Sequence, residues 1–194
     1  MHQLLATHLQ KHMDISLEEA EAFCQLFELK HIKKKEYLLS QGDICKIEAF
    51  VVGGLFKVFH TDNEGNEQIL YFASEDWWLS DLDSFNTNQS SRLSIQALEN
   101  SEVLLISKEK KQWAFDHIPY TERLFRIITQ KGYTALQRRM IGLLSQTAEE
   151  RYWEFWERYP KIAERLSNIQ MAGYLGVSHE FVSKIRRKVN RKTR

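Results

Sequence analysis

The chain has 194 residues, with 27 lysines and arginines, 26 aspartates and glutamates, and 43% apolar residues. This length allows one domain or two small ones, and the apolar share excludes a wholly disordered chain. No apolar run approaches the roughly 18 residues of a membrane helix, the N-terminus lacks a signal-peptide layout, and two cysteines are too few for a disulfide scaffold. We expect a reduced, cytoplasmic protein that does not contact a membrane.

The positive charge is concentrated at the C-terminal end. Residues 165–194 hold eight basic residues and one acidic residue, whereas residues 1–164 carry an excess of acidic residues. Such a split is typical of a polyanion-binding end joined to a different module, although a solvated basic tail would give the same count.

The first hundred residues change from helical to strand patterns. Residues 1–30 have apolar residues at three- and four-residue steps, which predicts helices, and Ser16 with Glu19 predicts a capping box at a helix start. From residue 36 to about 106, short β-branched and aromatic runs alternate with turn residues. This second pattern predicts five or more antiparallel strands.

A long amphipathic helix is predicted after these strands, with Pro119 in its first turn. Its apolar stripe consists of Leu124, Ile127, Ile128, Ala135, Leu136, Met140, Leu143 and Leu144. The stripe can pack on the β domain or be shared between two subunits, and its length between two domains favours a homodimer. A second helix is predicted from Thr147 to about Tyr159, and residues 161–194 are helical and basic.

The strongest motif of the chain covers residues 169–188. Ala172 is a small residue at which two helices can cross, Gly176 suits a turn with positive φ, and Ser178 can cap the second helix. The apolar residues that anchor this second helix are Val177, Val182 and Ile185. The spacing indicates a helix-turn-helix, and the alternative is an ordinary helical hairpin with a solvated charged face.

Position in the motif assigns a role to each polar residue. The first turn of a recognition helix enters the major groove, so His179, Glu180 and Lys184 are candidates for contact with base edges. Glutamate accepts a hydrogen bond from cytosine N4, and lysine donates to guanine O6 and N7. The residues that we expect to hold DNA phosphates are Gln170, Ser178, Ser183, Arg186, Arg187 and Lys188.

Three stretches of the chain resemble the Crp/Fnr family of bacterial transcription regulators. Residues 33–68 are similar to the opening strands of the cyclic-nucleotide-binding-like β-roll of that family, and residues 92–107 are similar to its closing strands. Residues 169–188 resemble its DNA-reading motif.

The resemblance implies an α+β fold in three parts. They are an antiparallel β-roll with N-terminal helices over residues 1–115, a dimerisation helix over 116–145, and a C-terminal winged helix-turn-helix over 146–194. The implied function is that of a homodimeric regulator that binds specific sequences of double-stranded DNA. RNA polymerase is a further partner that the resemblance implies.

The ligand pocket is where the sequence departs from that family. Members that bind cyclic nucleotides carry a Gly-Glu pair, whose glutamate holds the ribose, and an arginine that holds the phosphate. Ser80 and Asp81 stand at the pair, Ser91 stands at the arginine, and Arg92 follows on the opposite face of a strand. We therefore expect no control by cyclic AMP and no resident cofactor, and a different small effector stays open.

Three aromatic residues bear on that effector. Phe72, Trp77 and Trp78 can line a cavity for it, or they can belong to the core of the roll and its contact with the long helix. Two alternative functions remain: a small-molecule sensor with a different effector, and a ligand-free interaction scaffold with a vestigial DNA module. We expect neither an enzyme nor a metal site, since the chain has no GxSxG, Walker-type, GxGxxG or HExxH motif.

Overall fold

The computed structural model describes the backbone of residues 3–192 and the side chains of residues 3–187. Two helices come first, α1 (Gln3–His12) and α2 (Leu17–Cys24). The predicted capping box is confirmed at the start of α2. The Ser16 hydroxyl accepts from the N–H of Glu19, and the Glu19 carboxylate accepts from the N–H of Ser16.

Two four-stranded antiparallel sheets follow, as the sequence predicts. Their strands are β1 (Glu28–Ile32), β2 (Tyr37–Leu39), β3 (Ile47–Gly53), β4 (Phe56–Thr61), β5 (Glu67–Ala73), β6 (Trp78–Leu79), β7 (Ser94–Ala97) and β8 (Ser101–Ser107). One sheet has the order β1-β8-β3-β6 and the other the order β2-β7-β4-β5. Apolar side chains of both sheets, such as Val51 and Val58, form one buried core between them, which is the predicted roll. A short helix, α3 (Leu82–Thr87), lies between β6 and β7.

The helical prediction for residues 1–30 is wrong at its end, where β1 begins at Glu28. Four of the five side chains of β1 are exposed, so the strand has no alternating apolar pattern. Pairing with β8, from Glu28 opposite Leu105 to Ile32 opposite Ser101, holds this edge strand. Main-chain hydrogen bonds made far along the chain therefore decide its conformation.

Six helices follow within the described residues. They are α4 (Lys108–His117), α5 (Thr121–Ser145), α6 (Ala148–Arg158), α7 (Pro160–Arg165), α8 (Asn168–Leu175) and α9 (His179–Lys192). The long helix begins at Thr121, so Pro119 lies just before its first turn. α9 extends to Lys192, the last residue whose backbone is described, so a wing expected after α9 lies outside the described residues. No helix of the described chain is long and apolar enough to cross a bilayer.

The two outer faces of the roll carry different partners. On one side α1, α2 and the first half of α5 bury a cluster that includes Phe50 and Leu104 of the first sheet. On the other side α6 to α9 bury a cluster that includes Ile69 and Phe72 of β5. A Cβ on Gly173 of α8 would stand 3.1 Å from the carbonyl oxygen of Glu67, so glycine permits this close approach of α8 to the roll.

Candidate functional site

The helix-turn-helix is formed by α8 and α9. Gly176 ends α8 with φ 68° and ψ 39°, a left-handed conformation that favours glycine, and its N–H donates to the carbonyl of Ala172. The Ser178 hydroxyl accepts from the N–H of Phe181 at 3.3 Å and so caps α9. Val182 and Ile185 are buried against the rest of the C-terminal helices. The local geometry thus agrees with each spacing of the motif.

The start of α9 presents polar side chains to solvent. His179, Glu180, Lys184 and Arg187 are all exposed. His179 Nε2 lies 2.9 Å from the Glu180 carboxylate. Hydrogen bonds to the backbone N–H of Glu180 and to Ser178, together with the positive charges nearby, lower the pKa of this carboxyl. Glu180 is therefore an ionised acceptor at neutral pH, as contact with a cytosine amino group requires.

Two of the expected phosphate-binding residues have partners inside the C-terminal domain. Ser183 Oγ accepts from Asn168 Nδ2 at 2.9 Å and donates to the carbonyl of His179. Arg186 donates from Nε to the Tyr152 hydroxyl and from Nη2 to the carbonyl of Leu166, both at 3.2 Å. Ser183 and Arg186 thus fasten α9 to α8, α6 and the α7–α8 turn.

The remaining candidates lie at the two ends of the motif. Gln170 closes a capping box at the start of α8: its side-chain oxygen accepts from the N–H of Ser167, and its own N–H donates to the Ser167 hydroxyl. Lys188 belongs to α9, but its side chain lies outside the described residues. The candidates whose side chains are exposed are therefore Ser178, His179, Glu180, Lys184 and Arg187.

Residues that the sequence did not single out hold this domain in place. Arg151 donates to the carbonyl of Gln146 at 2.8 Å and to that of Leu175 at 2.9 Å, so it joins the α5–α6 turn to the end of α8. Arg139 of α5 donates to the carbonyls of Ile69 and Tyr174, both at 2.8 Å. Main-chain carbonyls leave no trace in the sequence, so no motif could have predicted these contacts.

The polar candidates for the ligand pocket are hydrogen-bonded within the roll. Asp81 is buried, and its carboxylate accepts from the N–H groups of Asp83 and Ser84 at the start of α3. The hydroxyl of Ser91, which is also buried, donates to the same carboxylate at 2.6 Å. Ser80 Oγ donates to the carbonyl of Ile47. Arg92 is exposed, and the structure does not bring it into this network.

The aromatic candidates do not share a cavity. Trp78 contacts the rings of His8, Phe27, Phe50 and Phe125, on the side of the N-terminal helices. Trp77 packs on Tyr159 at a ring-centroid distance of 5.4 Å, and Phe72 packs on Phe155 and Tyr174. These two rings therefore join the roll to the C-terminal helices. No group of three or more potential metal ligands occurs in the described part of the chain.

Comparison with known proteins agrees with this architecture. Residues 29–117 match the sequence model of the cyclic nucleotide-binding domain family. The transcriptional activator protein Anr of Pseudomonas protegens is 27% identical over 187 residues, which cover 89% of this chain and 75% of Anr.

Solved structures match over most of the chain as well. FixK2 from Bradyrhizobium japonicum superposes with a TM-score of 0.77 at 19% identity and covers 86% of each chain. A variant of CooA from Carboxydothermus hydrogenoformans superposes with a TM-score of 0.72 at 18% identity, over 88% of this chain and 79% of CooA. Together with the roll, the long helix and the helix-turn-helix, these matches show that the chain has the fold of the Crp/Fnr regulators, with a cyclic nucleotide-binding domain over residues 29–117.

Proposed function

We propose that this protein is a homodimeric, sequence-specific DNA-binding regulator of transcription that works without cyclic AMP. The observation that carries the proposal is the exposed start of α9. There His179, Glu180 and Lys184 are exposed on a helix that follows the turn at Gly176 and is capped by Ser178. This arrangement supports entry of the helix into a major groove. Arg187, one turn further on, is placed to hold a phosphate.

The long helix α5 supports the homodimer. The exposed apolar side chains of its second half are Tyr133, Leu136, Met140, Ile141, Leu143 and Leu144. Leu144 alone is 81% exposed, and a contiguous apolar face of this kind is covered by a partner in most proteins. A second copy of α5 can cover this face, because a two-fold dimer brings the same surface of both subunits together. The two recognition helices of such a dimer would then meet successive major grooves.

The network around Asp81 supports independence from cyclic AMP. Ser91 stands where the family resemblance implies a phosphate-binding arginine, and its hydroxyl binds the buried Asp81 carboxylate instead. A second anion next to this carboxylate would be repelled, because burial strengthens the interaction between like charges. A cyclic phosphate would thus find a carboxylate where it needs a cation.

Fluorescence anisotropy tests the proposal on the purified full-length protein. The probe is duplex DNA from upstream of its own coding region, at physiological salt, with a scrambled duplex as control and with or without cyclic AMP. We expect tighter binding to the upstream duplex, unchanged by the nucleotide. Equal, salt-sensitive binding to both duplexes would contradict sequence-specific recognition, and binding that requires the nucleotide would contradict our interpretation of Asp81 and Ser91.

A further inference from the structure

A cavity of about 50 Å³ lies where α5, α6 and α8 meet. Four arginines line it, Arg138 and Arg139 from α5 and Arg151 and Arg158 from α6, together with the carboxylate of Glu154. A water molecule needs roughly 10–15 Å³ of such volume, so the cavity has room for a group of a few heavy atoms. Its position is distinct from both α9 and the Asp81 network.

Two arginines of this cavity have buried N–H groups without a hydrogen-bond acceptor among the described residues. Arg139 uses Nη2 for two main-chain carbonyls, while its Nη1 is buried and has no acceptor among the described residues. Arg151 uses Nη1 and Nη2 for two further carbonyls, while its buried Nε likewise has no acceptor in the described part of the chain. Buried donors without acceptors are destabilising, and an anion is the acceptor that guanidinium groups bind best.

The positive charge of the cavity is only partly balanced. Burial lowers the pKa of Arg139, and the nearby charge of Arg151 lowers it further, so the two cations repel each other. Glu154 accepts from Arg158 at 3.0 Å and from Gln146 at 3.1 Å, which commits both of its carboxylate oxygens. A single carboxylate balances only one of the four arginine charges that line the cavity.

We propose that this cavity binds a small oxyanion, a carboxylate or phosphate group, between the side chains of Arg138, Arg139, Arg151 and Arg158. Arginine suits this task because its planar donors match the oxygens of such groups. The bound anion would link the end of α5 to α6 and α8, which is where the C-terminal helices join the long helix. The binding itself does not depend on DNA recognition by α9, so the two proposals can fail separately.

Isothermal titration calorimetry tests the site, with the full-length protein and either inorganic phosphate or acetate, at an ionic strength held constant with chloride. We expect one saturable site per chain for at least one of the two anions, and the tighter of them identifies the class. If neither anion gives saturable heat at millimolar concentration, the proposal is wrong.

Variants locate the bound anion. Arg138→Gln combined with Arg158→Gln removes two charges that make no main-chain hydrogen bond in the described residues, and it should weaken binding by about tenfold or more. Arg123→Gln, which removes an exposed charge at the other end of α5, should change the affinity less than about twofold. Equal losses in both variants would overturn the proposal.

The basic surface of α9 is a competing location for phosphate. Arg187→Gln removes an exposed charge there and should leave the saturable heat unchanged. Loss of the heat in this variant would assign the anion to α9 and overturn the cavity site. Thermal unfolding provides a check on folding, because an anion that binds only the folded chain raises the Tm of the parent protein and of Arg123→Gln but not that of the double variant.

Discussion

Lys184 and Arg187 lie one turn apart on the exposed face of α9, but we expect them to contribute differently to DNA binding. We propose that Lys184 contacts base edges, so Lys184→Ala should reduce the free-energy preference for the specific duplex by about 1–3 kcal/mol. For Arg187 we propose contact with the phosphates. Arg187→Ala should weaken binding to all sequences and lower the slope of log K against log salt by about one.

Anisotropy titrations over a series of salt concentrations, with an upstream duplex and a scrambled duplex, measure both quantities. Gln137→Ala, an exposed polar change on α5, serves as the control that leaves both unchanged. If Lys184→Ala and Arg187→Ala reduce the affinity for the two duplexes equally, this division of roles is incorrect.

His8 makes the stability of the protein depend on pH. The indole N–H of Trp78 donates to His8 Nε2, so that nitrogen is unprotonated, and Nδ1 lies 2.7 Å from the Asp76 carboxylate. Burial lowers the pKa of His8 below 6.5, despite the opposite effect of Asp76. Below pH 6.5 the unfolded chain therefore binds a proton before the folded chain does, and the free energy of unfolding should decrease as the pH falls, by at most about 1.4 kcal/mol per pH unit.

Urea unfolding between pH 7.5 and pH 5 measures this dependence. His8→Gln should flatten the profile in the window below pH 6.5, whereas His31→Gln, whose side chain is 72% exposed, should leave it as it is in the parent protein. A profile of His8→Gln that falls as steeply as that of the parent would assign the pH dependence to other groups.

Among the helices, α5 is divided between two surfaces. Its first half packs into the core with Leu124 and Phe125, and its second half exposes the apolar face described above. Fully burying a large apolar side chain contributes about 1.5–3 kcal/mol. Several of them on each of two chains would therefore favour the proposed dimer. In the proposed dimer, the same helix would belong to the roll at one end and to the subunit interface at the other.

Met140→Glu should convert the dimer to a monomer, because it places a charge at the centre of this apolar face. Met140 is 57% exposed in the single chain, so the fold of the monomer should tolerate the change. Sedimentation equilibrium measures the mass, and Gln89→Glu adds the same charge at an exposed polar position outside α5 as the control. An unchanged mass for Met140→Glu would indicate that α5 is not the interface.

Sequence patterns predict the elements better than they predict their contacts. The helix-turn-helix is predicted from a local spacing, that of Gly176, Val182 and Ile185. The structure has the two helices and the turn that this spacing requires. Trp77 and Trp78 are neighbours in sequence, yet they contact opposite sides of the roll, because successive side chains of an extended chain point to opposite faces. Which layer covers each face is decided by helices about 50–80 residues away, α1 before the two tryptophans and α5 and α6 after them, and the sequence around the two tryptophans carries no signal of it.

At the scale of the whole molecule, the C-terminal helices are fastened to the roll by apolar and ionic contacts. Phe72 and Ile69 of β5 belong to the same buried cluster as the helix-turn-helix. Arg165 of α7 forms ion pairs with Glu75, at 3.0 Å, and with Glu99, both of which belong to the roll. Arg165 is one of the eight basic residues at the C-terminal end, but its charge serves this contact and is not part of the DNA-facing surface.

Arg165→Gln should loosen the C-terminal helices from the roll without unfolding either part. The pairs are partly exposed, so their loss should cost about 1 kcal/mol, which is small beside the apolar contacts of Phe72 and Ile69. Hydrogen–deuterium exchange measures the effect: amides of α8, which packs on β5, should exchange several times faster, while those of β3 and β8 inside the roll should not change. Arg126→Gln removes a hydrogen bond within α5, to Gln130, and should leave all these amides as they are. If exchange accelerates equally in α8 and in β3, Arg165 stabilises the whole fold, and the two parts of the chain open together as one cooperative unit.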